Sequence, residues 1–249
     1  MPYNRVIAFG DSFTRGDELA DCLEYKPDWS SKFKCEDTSE STWPALIAKS
    51  LNCNYECCAV GGRGNQWISW ACNAYFTPDT LCIVNWTWFE RFDYFDVSVD
   101  DWRTTHPRHD EKLDHYFYRN LDSDVWNLHR NLQQIHSTIS LLKQNNINFI
   151  MTCLDTHYSL TYNDMRPPGP GPVAWTRGSC LVWTRAISSL QEQVLPHIVD
   201  FEGMSFLEWS KHNSFELGPG GHPLEQAHSE AASYILDKCN KYLYNKRIE

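Results

Sequence analysis

Ser12 and His222 are the residues of this chain whose types and settings most directly suggest chemistry. Ser12 closes Gly10-Asp11-Ser12, directly after the apolar run Val6-Ile7-Ala8-Phe9. A hydroxyl just past the carboxyl end of a strand can attack a carbonyl carbon, while free backbone N–H groups beside it hold the oxyanion. His222 lies in Gly220-Gly221-His222-Pro223, ahead of the last helical segment. An imidazole there can take up the hydroxyl proton. A third stretch, AVGGRGN from Ala59 to Asn65, follows a second strand-like run and offers a glycine turn.

These residues act together only if the fold collects them at one edge. Runs over 4–9, 53–58, 80–86, 147–154 and 197–201 read as strands. Helical segments at 43–51, 65–76, 123–145, 176–194 and 224–243 follow them. Val125, Leu128, Leu132, Ile135, Ile139 and Leu142 step by three and four, which places them on one helix face. Ser41 or Thr42 caps the first of these helices, with Pro44 in its first turn. Such alternation predicts parallel pairing through crossover helices. The expected fold is α/β: one domain over 1–249, three layers α/β/α, with a five-stranded parallel sheet of the flavodoxin-like kind. Ligands bind such sheets beyond the carboxyl ends of the strands. Two long connections leave that edge. One, at about 87–119, is rich in aromatic residues and is expected to form an ordered flap. The other, at about 155–175, carries RPPGPGP.

Composition excludes several classes. A net charge of −10 argues against a general nucleic-acid binder, which needs a basic surface. No apolar run approaches the ~20 residues of a membrane span. The N-terminal segment lacks the pattern of a secretory signal, so a cytoplasmic or virion-associated protein is expected. The ten cysteines include no CxxC pair and several sit in apolar runs, so they read as buried thiols rather than zinc ligands. His106, His109, Asp110, Asp114 and His115 match no established ligand spacing and read as a polar surface loop. GGRGN lacks the Lys-Ser/Thr of a phosphate-binding loop. No metal and no cofactor is therefore expected. The acidic stretch 17–24 reads as a solvated face. Eleven tryptophans is a high count; many suit a core, and the excess also suits stacking on sugars or other flat ligands.

Taken together, GDS, AVGGRGN and GGHPLEQAH resemble the SGNH/GDSL hydrolase superfamily, over nearly the whole chain in element order and spacing. The resemblance implies a serine ester hydrolase with Ser12 as nucleophile, His222 as general base and Gly62 as an oxyanion-hole glycine. His228 matches a second histidine of the family, read as packing or capping. Two departures stand out. The family's Gly-x-Asn-Asp falls on Trp86-Thr87-Trp88-Phe89, so the oxyanion asparagine is replaced. The Thr87 hydroxyl, the Trp88 indole N–H and Asn85 are the substitute donors. The family's aspartate, three residues before its histidine, falls on Pro219. Either a Ser-His dyad works alone, or a backbone carbonyl in 217–220 or Asp155 orients the imidazole. WTWFER resembles a variant of phage-encoded members, which makes Arg91 structural or substrate-facing. Arg63, Asn65 and Arg91 are the expected substrate contacts. The expected partner is a small-molecule or glycan ester with a short acyl group, carbohydrate O-acetyl among them. The alternative is a catalytically inactive member of the fold that serves as a binding or structural module in a virion.

Overall fold

The computed structural model describes residues 3–22, 38–106, 112–154, 156–160 and 177–244. Four parallel strands form the central sheet: β1 (Arg5–Phe9), β2 (Asn54–Cys57), β3 (Thr80–Trp86) and β6 (Asn148–Cys153). Their order is β2-β1-β3-β6. Strand register is continuous, with Phe9 opposite Val84 and Trp86 opposite Cys153. The order in which strands are added to the sheet thus reverses between β1 and β3, and the carboxyl ends of those two strands open the crevice where such sheets take ligands.

Both sheet faces are covered, which is why the strands read as unbroken apolar runs. On one face, Ile7, Phe9, Cys82, Val84, Trp86 and Met151 pack against α3 (Asn65–Tyr75) and α5 (Asp124–Gln144). On the other, Val6, Ala8, Leu81, Ile83 and Ile150 meet α2 (Trp43–Ser50) and α8 (Glu225–Tyr244). The three-layer arrangement is the one expected. Leu128, Leu132, Ile135, Ile139 and Leu142 all point into the first core, as their spacing requires. The helix α6 (Arg177–Val194) adds Ile187 and Val194 to the same layer.

The fifth strand is the exception. Residues 197–201 contribute one parallel bridge, Met151 to Ile198, with the Val199 N–H donating to the Met151 carbonyl at 2.7 Å. Pro196 sits in a 3-10 turn just before it, and the chain reverses at Phe201–Met204 through Glu202 and Gly203, both at positive φ. Too few residues remain between these turns for a ladder. A short helix not expected from sequence, α7 (Phe206–His212), follows with a capping box between Ser205 and Glu208.

The described residues of the aromatic connection have regular structure. They form an antiparallel hairpin, β4 (Phe92–Asp96) and β5 (Asp101–Thr105), followed by α4 (Lys112–Asn120). His109 and Asp110 lie outside the described residues, as does most of the 155–175 connection. No disulfide joins Cys22, Cys53, Cys57, Cys58, Cys72, Cys82, Cys153 and Cys239 to one another. No described helix is long and apolar enough to cross a membrane.

His228 has the packing role expected for it. It is buried on α8, and its Nδ1 accepts the Trp43 N–H at 3.1 Å, at the start of α2. Burial pushes its pKa down to about 3, against an opposing hydrogen bond at the Pro223 backbone. Between pH 6.5 and 3 the unfolded chain therefore binds a proton here that the folded chain does not. Stability contributed by the neutral ring is complete above pH 6.5 and declines as the pH falls through that window. From pH 7 to pH 4.5, the unfolding free energy of the wild type should drop about 2.5 kcal/mol more than that of His228→Gln. Urea titrations at the two pH values measure this, and equal drops would contradict it.

Candidate active site

The site begins with the turn after β1. Asp11 caps α1 (Ser12–Arg15): its Oδ1 accepts the Phe13 N–H at 3.1 Å. Its other oxygen, Oδ2, accepts the Thr87 hydroxyl at 2.7 Å and Arg91 Nη1 at 2.9 Å. All three groups are buried. This ion pair ties the segment after β1 to the segment after β3. Arg91 Nη1 also donates to the Arg63 carbonyl at 2.9 Å, so the glycine turn after β2 joins the same knot. The three loops at the crevice are therefore fixed to one another by one carboxylate and one guanidinium.

The helix α1 is a single turn. Gly16 ends it in the left-handed region, φ +88°, with its N–H returned to the Ser12 carbonyl at 2.9 Å. The chain then doubles back, and Glu18 adopts φ +73°, a conformation unfavourable for a side-chain-bearing residue. That turn aims Glu18 at the loop carrying His222. His222 Nε2 lies 2.9 Å from Ser12 Oγ, and its Nδ1 lies 2.7 Å from Glu18 Oε2. The Gly220 N–H donates to Glu18 Oε1 at 2.6 Å and the His222 N–H to Oε2 at 3.3 Å. Burial raises the Glu18 carboxyl, but the Gly220 N–H, the His222 ring and the His222 N–H together hold it below its ordinary range. The Phe13 ring lies 4.8 Å from the imidazole and Trp88 sets its edge against Phe13 at 5.5 Å.

The glycines near His222 leave room for this carboxylate. A Cβ on Gly218 would sit 2.6 Å from Glu18 Oε2, and one on Gly220 3.0 Å from it. Within its described residues, the stretch 17–24 is thus more than a solvated face, although Asp21 is exposed. Asp17 is buried against Arg15 Nε at 2.6 Å, and Asp21 accepts the Ser39 hydroxyl and the Glu40 N–H. Nothing in the local pattern distinguishes Glu18 from its acidic neighbours. The available signal was the space left by Gly218 and Gly220 beside a histidine that lacks a nearby acid.

The glycine turn passes close to Ser12: a Cβ built on Gly61 would stand 3.7 Å from Ser12 Cβ. Gly62 has φ +76°. Among the described residues, the N–H groups of Ser12, Gly61 and Gly62 donate no hydrogen bond. Trp88 stays at the site, half-buried between Phe13 and the Arg91 guanidinium, which lies 4.7 Å from its ring.

Five expected site residues are committed to the protein's own contacts; for Arg91 this is the structural one of its two expected roles. Thr87 is fully buried; its hydroxyl is committed to Asp11 and its N–H to Asn65 Oδ1 at 2.8 Å, so neither faces a substrate. Asn65 is buried too, and its Nδ2 donates to the Thr87 carbonyl, Asn131 Oδ1 and Tyr158 Oη. It anchors the end of β3 rather than a ligand. Arg91 is structural, as the buried pair with Asp11 shows. Arg63 is spent on the hairpin, donating to the Trp102 carbonyl and pairing with Asp101 at 3.3 Å. Asn85 is buried with Oδ1 accepting the Thr152 hydroxyl at 2.9 Å. Asp155 lies outside the described residues. In these cases sequence position put the residue near the crevice, but the protein's own polar groups claim it: backbone at Trp102, Thr87 and Arg63 for Arg63, Asn65 and Arg91, and the side chains of Asp11 and Thr152 for Thr87 and Asn85.

The hairpin supports the turn from outside. Asp93 accepts the Gly64 N–H at 2.8 Å and the Trp67 N–H at 2.9 Å, which caps α3 in place of a local side chain. On the far side, Arg130 Nη2 and Asn131 Nδ2 of α5 donate to the Arg91 and Phe89 carbonyls.

No protein-family model matches the chain, and no curated protein sequence matches it. Solved structures similar to it include a member of the lipolytic protein G-D-S-L family from Veillonella parvula, at 14% identity over 94% of this chain and 96% of that one, with a TM-score of 0.44. The psychrotrophic esterase EstA from Pseudoalteromonas sp. is 11% identical over 96% of this chain and 98% of that one, with a TM-score of 0.46. The acetyl xylan esterase Est2A from Butyrivibrio proteoclasticus is 15% identical over 97% of this chain and 64% of that one, with a TM-score of 0.45. Likeness at this level carries no assignment of activity.

The buried pair yields a stability prediction. Arg91→Met leaves the Asp11 carboxylate buried without its cation and should cost ~3–5 kcal/mol of unfolding free energy. Denaturant titration measures it. A loss of less than about 1 kcal/mol would show that the pair does not hold these loops together.

Proposed function

We propose that this protein is a serine ester hydrolase of the SGNH/GDSL type. The observation that carries the reading is the 2.9 Å contact between Ser12 Oγ and His222 Nε2, made at the carboxyl edge of the sheet between residues 210 positions apart. A contact of that length is short enough for direct proton transfer. His222 Nε2 takes the Ser12 proton as Oγ bonds to the acyl carbon. The carbonyl oxygen gains the negative charge, and the Ser12 and Gly62 N–H groups receive it. The Trp88 indole N–H is the third donor in place of the family's asparagine. As the intermediate collapses, the bond to the leaving alkoxide breaks and His222 returns the proton to it. Water then attacks the acyl-serine with His222 again as base, releasing the acid and restoring Ser12.

Short acyl esters are the proposed substrates, with O-acetyl groups on carbohydrate as the leading class. Support comes from rings held at the surface beside the glycine turn. Trp70 and Phe95 are exposed and pack against Trp102, whose carbonyl holds Arg63. Flat faces of this kind stack on sugar rings. The non-catalytic alternative rests on the missing asparagine and the missing acid; Glu18 stands in for the acid beside His222.

An alkyl fluorophosphonate should label Ser12 and no other serine, because only a base-activated hydroxyl reacts readily with such a probe. Intact-mass and peptide analysis reads the site. His222→Ala should slow labelling ~10²–10⁴-fold. Labelling that persists in Ser12→Ala would assign the nucleophile elsewhere.

A further inference from the structure

We infer that Glu18 is the positioning residue of this site: its carboxylate fixes the tautomer of His222 and docks the loop that carries it. The inference rests on reading Ser12 and His222 as the reacting pair. No aspartate precedes His222 at the spacing the resemblance implies, because Pro219 stands there. The acid instead comes from the opposite end of the chain, 204 residues away and six residues after the nucleophile.

One carboxylate meets three donors. Oε1 takes the Gly220 N–H, and Oε2 takes the His222 N–H and the imidazole Nδ1. The acceptor-only chemistry of an ionised carboxylate puts the ring proton on Nδ1. Nε2 is then left with its lone pair toward Ser12 Oγ, the form needed to accept a proton. The two backbone bonds hold residues 218–222 against the same group, so ring tautomer and loop position depend on one charge. Three features are adapted to it. Gly218 and Gly220 leave the volume the carboxylate fills. The φ of +73° at Glu18 is sustained where a glycine would be the unstrained choice. The Ala20 N–H is held by Glu225 Oε1 at 2.8 Å, which fixes the far side of the turn to α8.

Glutamine cannot replace this group. Its amide has one oxygen, and whichever way it turns, an NH₂ faces either the Gly220 N–H or the imidazole Nδ1. Glu18→Gln should therefore lower kcat far more than it changes KM, with kcat/KM for a short-chain aryl ester falling ~10²–10⁴-fold. In the wild type, ¹⁵N spectra of the imidazole should show the proton on Nδ1; in Glu18→Gln that single tautomer should be lost. Glu18→Gly is the companion variant, because it suits the left-handed backbone and removes the carboxylate without adding strain. Sodium formate, compared with sodium chloride at equal ionic strength, should raise kcat of Glu18→Gly and leave the wild type unchanged. Retained wild-type kcat/KM in Glu18→Gln, an unchanged Nδ1 proton signal in it, or no response of Glu18→Gly to formate would each overturn the assignment. Ser12→Ala and His222→Ala separate the two levels. If both are inactive while Glu18→Gln is fully active, only the Glu18 role fails. If they keep wild-type turnover, the reacting pair fails and the Glu18 role with it.

Discussion

The structure around the site depends on the bond between the Glu18 carboxylate and the loop that carries His222. Without it, the imidazole would rest on the Phe13 ring and on the loop's own backbone bonds: the Gly218 N–H to the His222 carbonyl at 2.9 Å, the Gly221 N–H to the Gly218 carbonyl at 2.9 Å and the Leu224 N–H to the Glu216 carbonyl at 3.1 Å. With it, the loop is joined to the same short turn that presents Ser12. Ser12 and Glu18 are six residues apart, on either side of Gly16, so their relative placement is set by one tight local fold. Only the histidine must arrive from a distance.

Beneath that turn lies a second, buried layer of polar contacts. Asp11 pairs with Arg91 and Thr87, and Arg91 reaches the Arg63 carbonyl. Asn65, Tyr158 and Asn131 close the backbone groups at Thr87 and Phe89. Buried polar groups of this kind are costly unless met, and those met here define one geometry, while the Nε of Arg91 and that of Arg63 have no partner among the described residues. The layer joins the ends of β1 and β3 and the turn after β2. It therefore fixes where free N–H groups can face a developing negative charge. Preorganisation of donors, rather than contact with the ground state, is what lowers such a barrier.

Much of this was legible from sequence because it follows from periodicity. The run TLCIVNW marks β3 to the residue, and the three-four stepping of Val125 to Leu142 marks α5 within one or two positions. The fifth strand failed because one residue of pairing is not a pattern of burial; Pro196 and the Phe201–Met204 reversal decide it. Ser12 and His222 were legible as motifs. Glu18 was not, since its role depends on a backbone conformation and a partner two hundred positions away. Arg63, Asn65 and Arg91 show the converse: polar residues beside a crevice are turned inward when buried backbone needs them.

The central claim is that Ser12, activated by His222, carries the acyl group during turnover. Rapid quenching of the enzyme in acid during steady hydrolysis of a p-nitrophenyl acetate, followed by peptide mass analysis, tests it directly. An acetyl adduct on the peptide containing Ser12, absent from Ser12→Ala, is the result this account predicts. Hydrolysis that proceeds undiminished in Ser12→Ala, with no adduct on the wild-type peptide, would contradict it.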